Sequence, residues 1–320
     1  MLLLLAGFVA PATILVVLAL GLNLQWGHTG LFNAGVAAFV GVGAYVFAMF
    51  ATGGVPAGAF GSTYPGHWGL AGPIDLVLAA FLAMLAAGVL GVLIAIPTLR
   101  LRADYLAIAT LALGEIARLV LKNERSVTGG DQTLPLIPRP FDAFVPRGPY
   151  SDAVFSLIAI GVALGALFVL DFLTRAPWGR NLRAIREDEE AAMALGKDAF
   201  TLKLSSFGIG CAIMGLSGAL LASFNGVITP DQFAPAATFS AYVVVILGGS
   251  GNNRGVILGG YLFFLFTWTT QQLKGYLPSD VNLRLDYVNQ IAIGLLLILF
   301  ILFRPEGVMP EPKYLPRRKA

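Results

Sequence analysis

Seven long stretches of this chain carry no Asp, Glu, Lys or Arg, and the first of them covers residues 1–74. The others are residues 76–99, 153–170, 204–230, 232–253, 255–273 and 287–303. Each is close to or longer than the roughly 17 to 25 apolar residues of a membrane-spanning helix. Only 12% of all residues are charged, against about a quarter in soluble domains. The pattern predicts that most of the chain lies in a lipid bilayer.

Glycine, proline and charged residues divide these stretches into candidate helices. The predicted fold is an all-α, polytopic membrane protein with about nine transmembrane helices, within a range of eight to ten. The predicted spans are residues 2–22, 31–51, 73–96, 105–121, 153–173, 204–224, 238–250, 255–271 and 287–303. The seventh span is the shortest, because it runs into a glycine-rich segment at residues 248–253. That segment is either a tight turn or an irregular stretch held inside the protein.

The Lys and Arg residues between the spans predict the orientation of the chain. Fourteen lie on the side that carries residues 174–203 and the C-terminus, and six lie on the opposite side. Positive residues favour the cytoplasmic side of a bilayer. We therefore expect one transmembrane domain over residues 1–320, with the N-terminus outside, an external loop at 122–152, a cytoplasmic coupling loop at 174–203 and a basic cytoplasmic tail at 304–320.

Composition and motifs exclude several classes of function. The net charge of +3 comes from basic residues at membrane boundaries, which favours lipid over nucleic acid as their partner. The two histidines, His28 and His67, show neither metal-ligand spacing nor a catalytic constellation. The chain has no glycine-rich phosphate loop of the ATPase type. We therefore predict no catalytic residues, no metal site and no cofactor on this chain.

Small residues within the spans are predicted to be packing positions. Cys211 is the single cysteine and lies in an apolar stretch, so we expect a small buried side chain. Two Gly-x-x-x-Gly pairs, Gly161 with Gly165 and Gly255 with Gly259, allow close approach of helices. We expect both pairs to pack inside the subunit, with dimerisation as the alternative.

A charged loop separates the fifth and sixth predicted spans. It reads GRNLRAIREDEEAAMALG over residues 179–196. Apolar residues recur among the charges, as in an amphipathic docking helix. Glu190-Ala191-Ala192 followed by Gly196 resembles the cytoplasmic coupling loop of ABC importer permeases, although the Ile-x-Leu-Pro ending of many such loops is absent. On these residues alone, a solvated charged loop with a chance match is the alternative.

Further motifs extend the resemblance over nearly the whole chain. They are LNL at 22–24, GHTGLFNAG at 27–35, GVGAY at 41–45, RLRADYLAIATL at 100–111, GEI at 114–116, TGG at 128–130, GRNLRAIREDEEAA at 179–192, GLSGAL at 215–220, LGGSG at 247–251 and FRPEG at 303–307. In this order they resemble the LivM family of branched-chain amino acid permeases. The chain departs from the family in two ways. Many members have Ser where Asn33 stands, and members often carry an additional apolar stretch before the first motif.

The resemblance implies an ABC importer permease for branched-chain amino acids in a bacterial inner membrane. The implied partners are a second related permease, two ATPase subunits that bind ATP and Mg, and an extracytoplasmic substrate-binding protein. Relatives that carry urea, short amides or other amino acids leave those substrates as alternatives. An ion-coupled secondary transporter is the alternative from another class, since such proteins place an acidic residue or a broken-helix ion site in the membrane.

The predicted contact with the ATPase lies in the loop at residues 180–196. The coupling residues are Arg180, Arg183, Arg186, Glu190, Ala191, Ala192 and Gly196. We expect Glu190 to cap the coupling helix or to form a salt bridge within it, and Ala191 and Ala192 to form its close-packed face. Gly196 is predicted to end the helix, because glycine tolerates left-handed backbone geometry.

The candidate residues of the translocation path are Asn23, Gln25, Asn33 and Glu115. The three amides flank glycines, so they either line a polar path or satisfy backbone groups freed where a helix breaks. Glu115 and Arg118 are three residues apart and are predicted to pair on one helical face. That pair is either functional or a structural pair near the helix end, with Arg118 reaching out of the apolar layer.

Overall fold

The computed structural model describes residues 2–51, 73–124, 128–131, 133–135, 137–142, 147–273 and 279–311. The regular structure in these ranges is helical. The helices are α1 (Leu2–Leu22), α2 (Val36–Ala51), α3 (Pro73–Thr98), α4 (Ala103–Asn123), α5 (Pro149–Arg175), α6 (Pro177–Glu187), α7 (Glu189–Ala194), α8 (Ala199–Asn225), α9 (Pro235–Gly248), α10 (Asn253–Leu273) and α11 (Ser279–Phe303). A π-helical turn, Asn23–His28, continues α1, and a 3₁₀ turn, Pro230–Phe233, precedes α9.

Each of the nine predicted spans overlaps one helix, so the predicted all-α membrane fold is confirmed, although α2 begins at Val36 and not at residue 31 as predicted. Four segments of the described chain are long and apolar enough to cross a membrane: Gly7–His28, Asp75–Thr98, Pro149–Arg175 and Ala199–Asn225. Three further apolar helices are shorter: Val36–Ala51, Pro235–Gly248 and Asn289–Phe303. The remaining short helices, α6 and α7, lie in the predicted cytoplasmic loop.

α1 and α8 form the centre of the helix bundle, with 72% and 67% of their apolar segments buried. Glycines allow α2 to pack directly on α8. A Cβ on Gly43 would collide with the Gly215 carbonyl, and a Cβ on Gly218 would collide with the Val40 carbonyl. Such backbone approaches stabilise helix pairs in lipid through van der Waals contact. α3 packs on α8 as well, and there Cys211 is fully buried, as predicted.

α3 and α5 form outer walls of the bundle, with only 22% and 28% of their apolar segments buried. The outward side of α5 carries large apolar side chains that are each more than half exposed: Leu157, Leu164, Phe168 and Phe172. Apolar side chains on the outside of a helix suit hydrocarbon rather than water. This surface of α5 therefore fits a position against lipid or another membrane subunit.

The two Gly-x-x-x-Gly pairs have different surroundings. A Cβ on Gly255 or Gly259 would collide with the backbone of α9 at Gly248, so the predicted packing inside the subunit is confirmed for this pair. No described atom lies within 4 Å of a Cβ built at Gly161 or Gly165. The prediction is wrong for this second pair, because both glycines lie on the outward face of α5 while its opposite face packs against α1.

α2 and α9 are two of the shorter apolar helices, and their first turns lie next to each other. They have 16 and 14 residues, so they extend over about 24 and 21 Å, less than the ~30 Å apolar core of a bilayer. An irregular segment at residues 29–35 leads from the π turn into α2. The two helix starts meet where the Ala37 N–H donates a 3.1 Å hydrogen bond to Thr238 Oγ1.

The glycine-rich segment after α9 is a tight turn, the first of the two arrangements that the sequence allowed. Gly249 and Gly251 have φ angles of +111° and +82°, which glycine adopts without steric cost. The Asn252 N–H donates to the Gly249 carbonyl oxygen at 3.3 Å, and α10 begins at the next residue.

The described part of the predicted external loop packs on the ends of α5 and α8. Leu134 and Ile228 form an isolated antiparallel bridge. Arg139 Nε donates to the Phe224 carbonyl oxygen at 3.1 Å, and Arg139 Nη1 pairs with Asp152 at 2.7 Å. The guanidinium also lies 5.0 Å from the centroid of the Phe224 ring. These contacts hold the loop against the bundle and give it a fixed surface.

Candidate functional site

α6 is an amphipathic helix fixed to the ends of two long helices. Its Leu182 is fully buried. Trp178 Nε1 donates to Ser205 Oγ of α8 at 3.1 Å, and Arg183 Nη2 donates to the Thr174 carbonyl oxygen of α5 at 2.8 Å. Because α6 contacts both helices, a displacement of α6 acts on both.

α7 is a short helix whose start is held by two acidic residues. The Asp188 carboxylate accepts a 2.9 Å hydrogen bond from the Ala191 N–H, which is an N-cap contact. Glu189 pairs with Lys203 of α8 at 2.5 Å. The contacts predicted for Glu190 thus belong to its two predecessors, while Glu190 itself is exposed. Asp188 carries a signal that could have identified it, since Asp is a favoured N-cap residue.

Gly196 ends the turn after α7 with the left-handed geometry predicted for it. Its φ angle is +78°. Its N–H donates to the Met193 carbonyl oxygen at 2.9 Å, and the Lys197 N–H donates to the Ala192 carbonyl oxygen at 3.1 Å. Paired bonds of this kind satisfy the last carbonyl groups of a helix. The chain therefore reverses sharply here and enters α8.

The surface of α7 that faces away from the bundle is partly apolar. The predicted close-packed position is occupied by Ala192, which is buried next to Ile185, whereas Ala191 is exposed and the prediction is wrong for it. Met193 and Leu195 are 49% and 80% exposed. Large apolar side chains exposed among charges are typical of protein interaction surfaces. We call residues 190–196, all exposed except Ala192, the docking tip.

Asp198 caps the following helix, α8, next to the docking tip. Its carboxylate accepts hydrogen bonds from the Thr201 hydroxyl at 2.5 Å and from the Thr201 N–H at 3.2 Å. These two bonds, the hydroxyl first, lower the pKa of the exposed Asp198 carboxyl below its ordinary value. Asp198 therefore stays ionised and keeps the first turn of α8 in place.

The three predicted coupling arginines differ in their surroundings. Arg180 is exposed, whereas Arg183 and Arg186 are partly buried. Arg186 Nη1 donates to the Gly27 carbonyl oxygen, and Arg186 Nη2 pairs with Glu311 at 2.7 Å. A cavity of about 710 Å³ opens between α6 and the segment after α11. Its lining includes Arg175, Arg180, Arg183, Arg186, Glu306 and Glu311.

A buried network of polar side chains surrounds the π turn. Asn23 Nδ2 donates to Asn253 Oδ1 at 2.9 Å, and His28 Nε2 lies 3.3 Å from the same oxygen. Asn253 Nδ2 donates in turn to Asp171 Oδ1 at 2.9 Å. The Gly251 N–H donates to Asn23 Oδ1 at 2.9 Å. The network joins the end of α1 to α5, α10 and the turn before α10.

Gln25 and Asn33 hold the break between α1 and α2. Asn33 Nδ2 donates to Gln25 Oε1 at 2.9 Å, and Gln25 Nε2 donates to the Phe207 carbonyl oxygen at 2.8 Å. Asn33 Oδ1 accepts from the Gly35 N–H at 3.0 Å. Asn33 therefore satisfies a backbone group at the helix break, one of the two roles considered for these amides, while Gln25 ties the break to α8. That they also line the translocation path stays a prediction.

Glu115 and Arg118 form the predicted pair on α4. Arg118 Nε lies 3.0 Å from Glu115 Oε2, and Arg118 Nη2 lies 2.5 Å from Glu115 Oε1. Arg118 Nη1 also pairs with Asp231 at 2.9 Å, and Lys122 contacts the same carboxylate at 3.3 Å. This row of charges leads towards the end of α4, as expected for a structural pair. The cleft beside Glu115 has a volume of only about 10 Å³, room for one water at most.

The described residues include no group of three or more His, Cys, Asp or Glu side chains that could hold a metal ion. The contacts of α7 and of the polar side chains around the π turn are hydrogen bonds, ion pairs and apolar contacts.

The amino-acid sequence decides the family. Residues 4–302 match the family described as "Branched-chain amino acid transport system / permease component". The chain belongs to this permease family. The permease is 33% identical to the high-affinity branched-chain amino acid transport system permease protein LivM of Salmonella typhimurium, over 93% of this chain and 68% of that protein.

Two further relatives show how far the similarity extends. The permease is 28% identical to the probable LivM permease of Methanocaldococcus jannaschii, over 92% of this chain and 90% of that protein. It is also 30% identical to the LivH permease of Escherichia coli, over 49% of this chain and 48% of that protein. No solved structure matches the permease. The family and the apolar helices together establish a multi-pass membrane protein and a transporter subunit.

Proposed function

We propose that this permease is a membrane-spanning subunit of an ATP-driven ABC importer that carries branched-chain amino acids by alternating access. The family description and the names of the relatives support the transport system and the substrate class. The coupling to ATP is inferred from the docking tip. It contains most of α7, a short capped helix that is partly apolar on its exposed side and is held to α8 by the pair of Glu189 with Lys203.

In this proposal, two ATPase subunits bind the docking tips of two permeases. ATP and Mg bind to the ATPases, and closure of the ATPases on ATP displaces the docked loops. Because α6 contacts both α5 and α8, this displacement reaches helices on both sides of the bundle. The bundle then alternates between outward-open and inward-open arrangements. The exposed Arg180 is available to contact acidic groups of the ATPase.

The remaining partners follow from the same family. The second permease is a related subunit, since the relatives include both LivM and LivH proteins. We place residues 174–203 and the tail at 304–320 in the cytoplasm of a bacterial inner membrane, following the distribution of Lys and Arg. An extracytoplasmic binding protein delivers the substrate to the opposite face, where the contacts of Arg139 with α5 and α8 hold the described residues of the loop in place.

An apolar path suits a substrate with an aliphatic side chain. The binding protein supplies most of the selectivity, so the permease needs only a weak passage. Ion-coupled transport is not favoured, because Glu115 is occupied by Arg118 and the family is an ABC transport family. Urea, short amides and other amino acids are distinguished from branched-chain amino acids by the uptake experiment.

The test is ATP-dependent uptake of labelled leucine by the complex of both permeases, the ATPases and the binding protein in liposomes. A variant with Glu190→Ala and Gly196→Pro changes the docking tip, and Asp104→Asn, exposed at the start of α4, is the matched control. We expect the intact complex and the control to import leucine, and the docking-tip variant to assemble without importing it.

Two results would contradict the proposal. Import of leucine by the permease alone under a proton or sodium gradient, without ATP, would support a secondary transporter. Hydrolysis of ATP by the intact complex without movement of leucine would refute the substrate, and competition with isoleucine, valine, urea and acetamide would then identify the class that is carried.

A further inference from the structure

Arg186 joins three parts of the chain that are far apart in sequence. One guanidinium nitrogen donates to the Gly27 carbonyl oxygen and another pairs with Glu311, across separations of 159 and 125 residues. The side chains of Arg186 and Glu311 are only 24% and 25% exposed. Partial exclusion of water strengthens both contacts. Arg186 therefore points into the protein, although it lies on the helix next to the docking tip.

Glycines make room for this junction. Gly30 has a φ angle of +76°, and a Cβ there would lie 3.0 Å from Arg186 Cγ. Gly251 has a φ angle of +82°, and a Cβ there would lie 2.8 Å from Glu311 Cδ. A Cβ on Gly27 would collide with the Gly251 nitrogen. Larger residues at these positions would push α6, the π turn and the tail apart.

The segment that carries Glu311 is fixed along the turn between α9 and α10. The Val308 N–H donates to the Leu247 carbonyl oxygen at 2.9 Å. Asn252 Nδ2 donates to the Pro310 carbonyl oxygen at 3.0 Å. Glu311 is thus held at a defined place beside α6, so its ion pair with Arg186 links α6 to the α9–α10 hairpin.

The π turn depends on groups outside α1 for its hydrogen bonds. A helix end leaves its last carbonyl groups without partners in the helix, and π turns are frequent at functional sites. The Gln25 carbonyl oxygen accepts from the Leu31 N–H at 2.8 Å. The Gly27 carbonyl oxygen accepts from Arg186. A movement of α6 therefore acts directly on the end of α1.

We propose that Arg186 is a positioning residue that transmits displacement of the docking tip to the π turn of α1, with Glu311 as its second anchor. The inference rests on the proposed function for the source of that displacement. α1 is a central helix, and its π turn carries Asn23 and Gln25 of the buried amide network. Movement of the π turn therefore rearranges the network that closes the break between α1 and α2.

The two anchors can be weakened separately. A planar guanidinium binds a carbonyl and a carboxylate at the same time, whereas an ammonium acts as a single point charge. Arg186→Lys keeps the charge and loses the two-point contact. Glu311→Gln keeps the size and loses the charge. Arg304→Lys is the matched control, because Arg304 is exposed in the same tail.

The test uses the complete importer in nanodiscs and liposomes, with assembly measured by co-purification. Amide hydrogen exchange of residues 27–31 is compared with and without nucleotide trapped on the ATPases. In the intact complex and in Arg304→Lys, trapping changes the exchange rate of these amides. In Arg186→Lys and Glu311→Gln we expect this response to disappear. We also expect leucine imported per ATP hydrolysed to fall about tenfold.

The outcomes separate this inference from the proposed function. An unchanged exchange response in Arg186→Lys or Glu311→Gln would overturn the role of Arg186, and so would an intact complex that imports leucine without any response at residues 27–31. An intact complex that shows the response but does not import leucine would refute the substrate alone. If one variant fails to co-purify with its partners, the exchange response of the other decides.

Discussion

The Tyr242 hydroxyl of α9 donates a 2.9 Å hydrogen bond to the Asn33 carbonyl oxygen in the irregular segment before α2. Both residues are buried, and the bond joins α9 to the segment that leads into α2. Tyr242→Phe removes the donor and leaves a buried carbonyl without it. We expect a loss of about 1–3 kcal/mol in stability, measured as a lower melting temperature of the purified subunit. Tyr150→Phe, at an exposed tyrosine, is the control, and equal melting of both variants would contradict the role of this bond.

Gly218 allows α8 to touch α2. A Cβ there would collide with the Val40 carbonyl and lie 2.9 Å from the Ala44 nitrogen, and backbone atoms cannot move aside as flexible side chains do. We expect Gly218→Ala to destabilise the subunit by about 1–3 kcal/mol, measured as a lower melting temperature in detergent. Gly161→Ala places the same methyl group in open space and should melt like the unmodified subunit.

Arg139 holds the predicted external loop to α5 and α8. Arg139→Gln loses the ion pair with Asp152 and the charged hydrogen bonds to the Phe224 carbonyl oxygen. We expect a cost of about 1.5–3 kcal/mol and faster cleavage of residues 128–142 by an external protease. Arg102→Gln, exposed between α3 and α4, should leave cleavage unchanged. Equal rates for both variants would show that the loop is held by other contacts.

Leu195 is the most exposed large apolar residue of the docking tip. Leu195→Asp places a charge at the surface proposed to bind the ATPase, while the fold of the subunit should tolerate it. We expect at least about tenfold weaker ATPase binding, or about 1.4 kcal/mol, measured by titration of the ATPase onto the permease in nanodiscs. Leu195→Met should bind as the unmodified permease does. Unchanged binding of the Asp variant would place the interface elsewhere.

The stability of the first turn of α8 depends on pH through the Asp198 carboxylate that caps it. Its pKa is lowered from the ordinary value of 3.8 by the Thr201 hydroxyl and N–H. A lowered carboxyl pKa stabilises the folded form above the ordinary value, and this contribution disappears as the pH falls through the lower folded value. We expect protection of the Thr201 amide, its exchange relative to the intrinsic rate at the same pH, to fall below about pH 3.8. In Asp198→Asn this fall in protection should be absent, and an identical pH profile of protection in the two proteins would refute the assignment.

The membrane helices could be predicted from sequence because the insertion of a segment into lipid depends mainly on whether about 20 consecutive residues are apolar. The nine predicted spans all overlap helices. The irregular segment before α2, which takes up residues 31–35 of the second predicted span, could not be predicted in the same way. Its backbone groups are satisfied by Tyr242 and Thr110, residues that lie far away in the chain, and apolar windows carry no information on such partners.

The docking tip was partly predictable. The left-handed turn at Gly196 follows from a local property of glycine. The contacts assigned to Glu190 are made by Asp188 and Glu189 instead, because the helix begins at Glu189 and its cap falls on the residue before it. Arg186 points inward to its partners, Gly27 and Glu311, which lie far away in the sequence. From the sequence alone, an arginine in a charged loop is predicted to be exposed, like its charged neighbours.

α8 is the helix on which α1, α2 and α3 pack, yet the ribosome makes it after all of them. When α2 enters the bilayer, the glycine at residue 218 that it will contact has not been synthesised. The surfaces of α1, α2 and α3 that pack on α8 therefore have no α8 to contact until residues 199–225 have been inserted, although α2 already meets α3 and α1 meets α5. For this subunit, completion of the tertiary fold is a late event of biosynthesis.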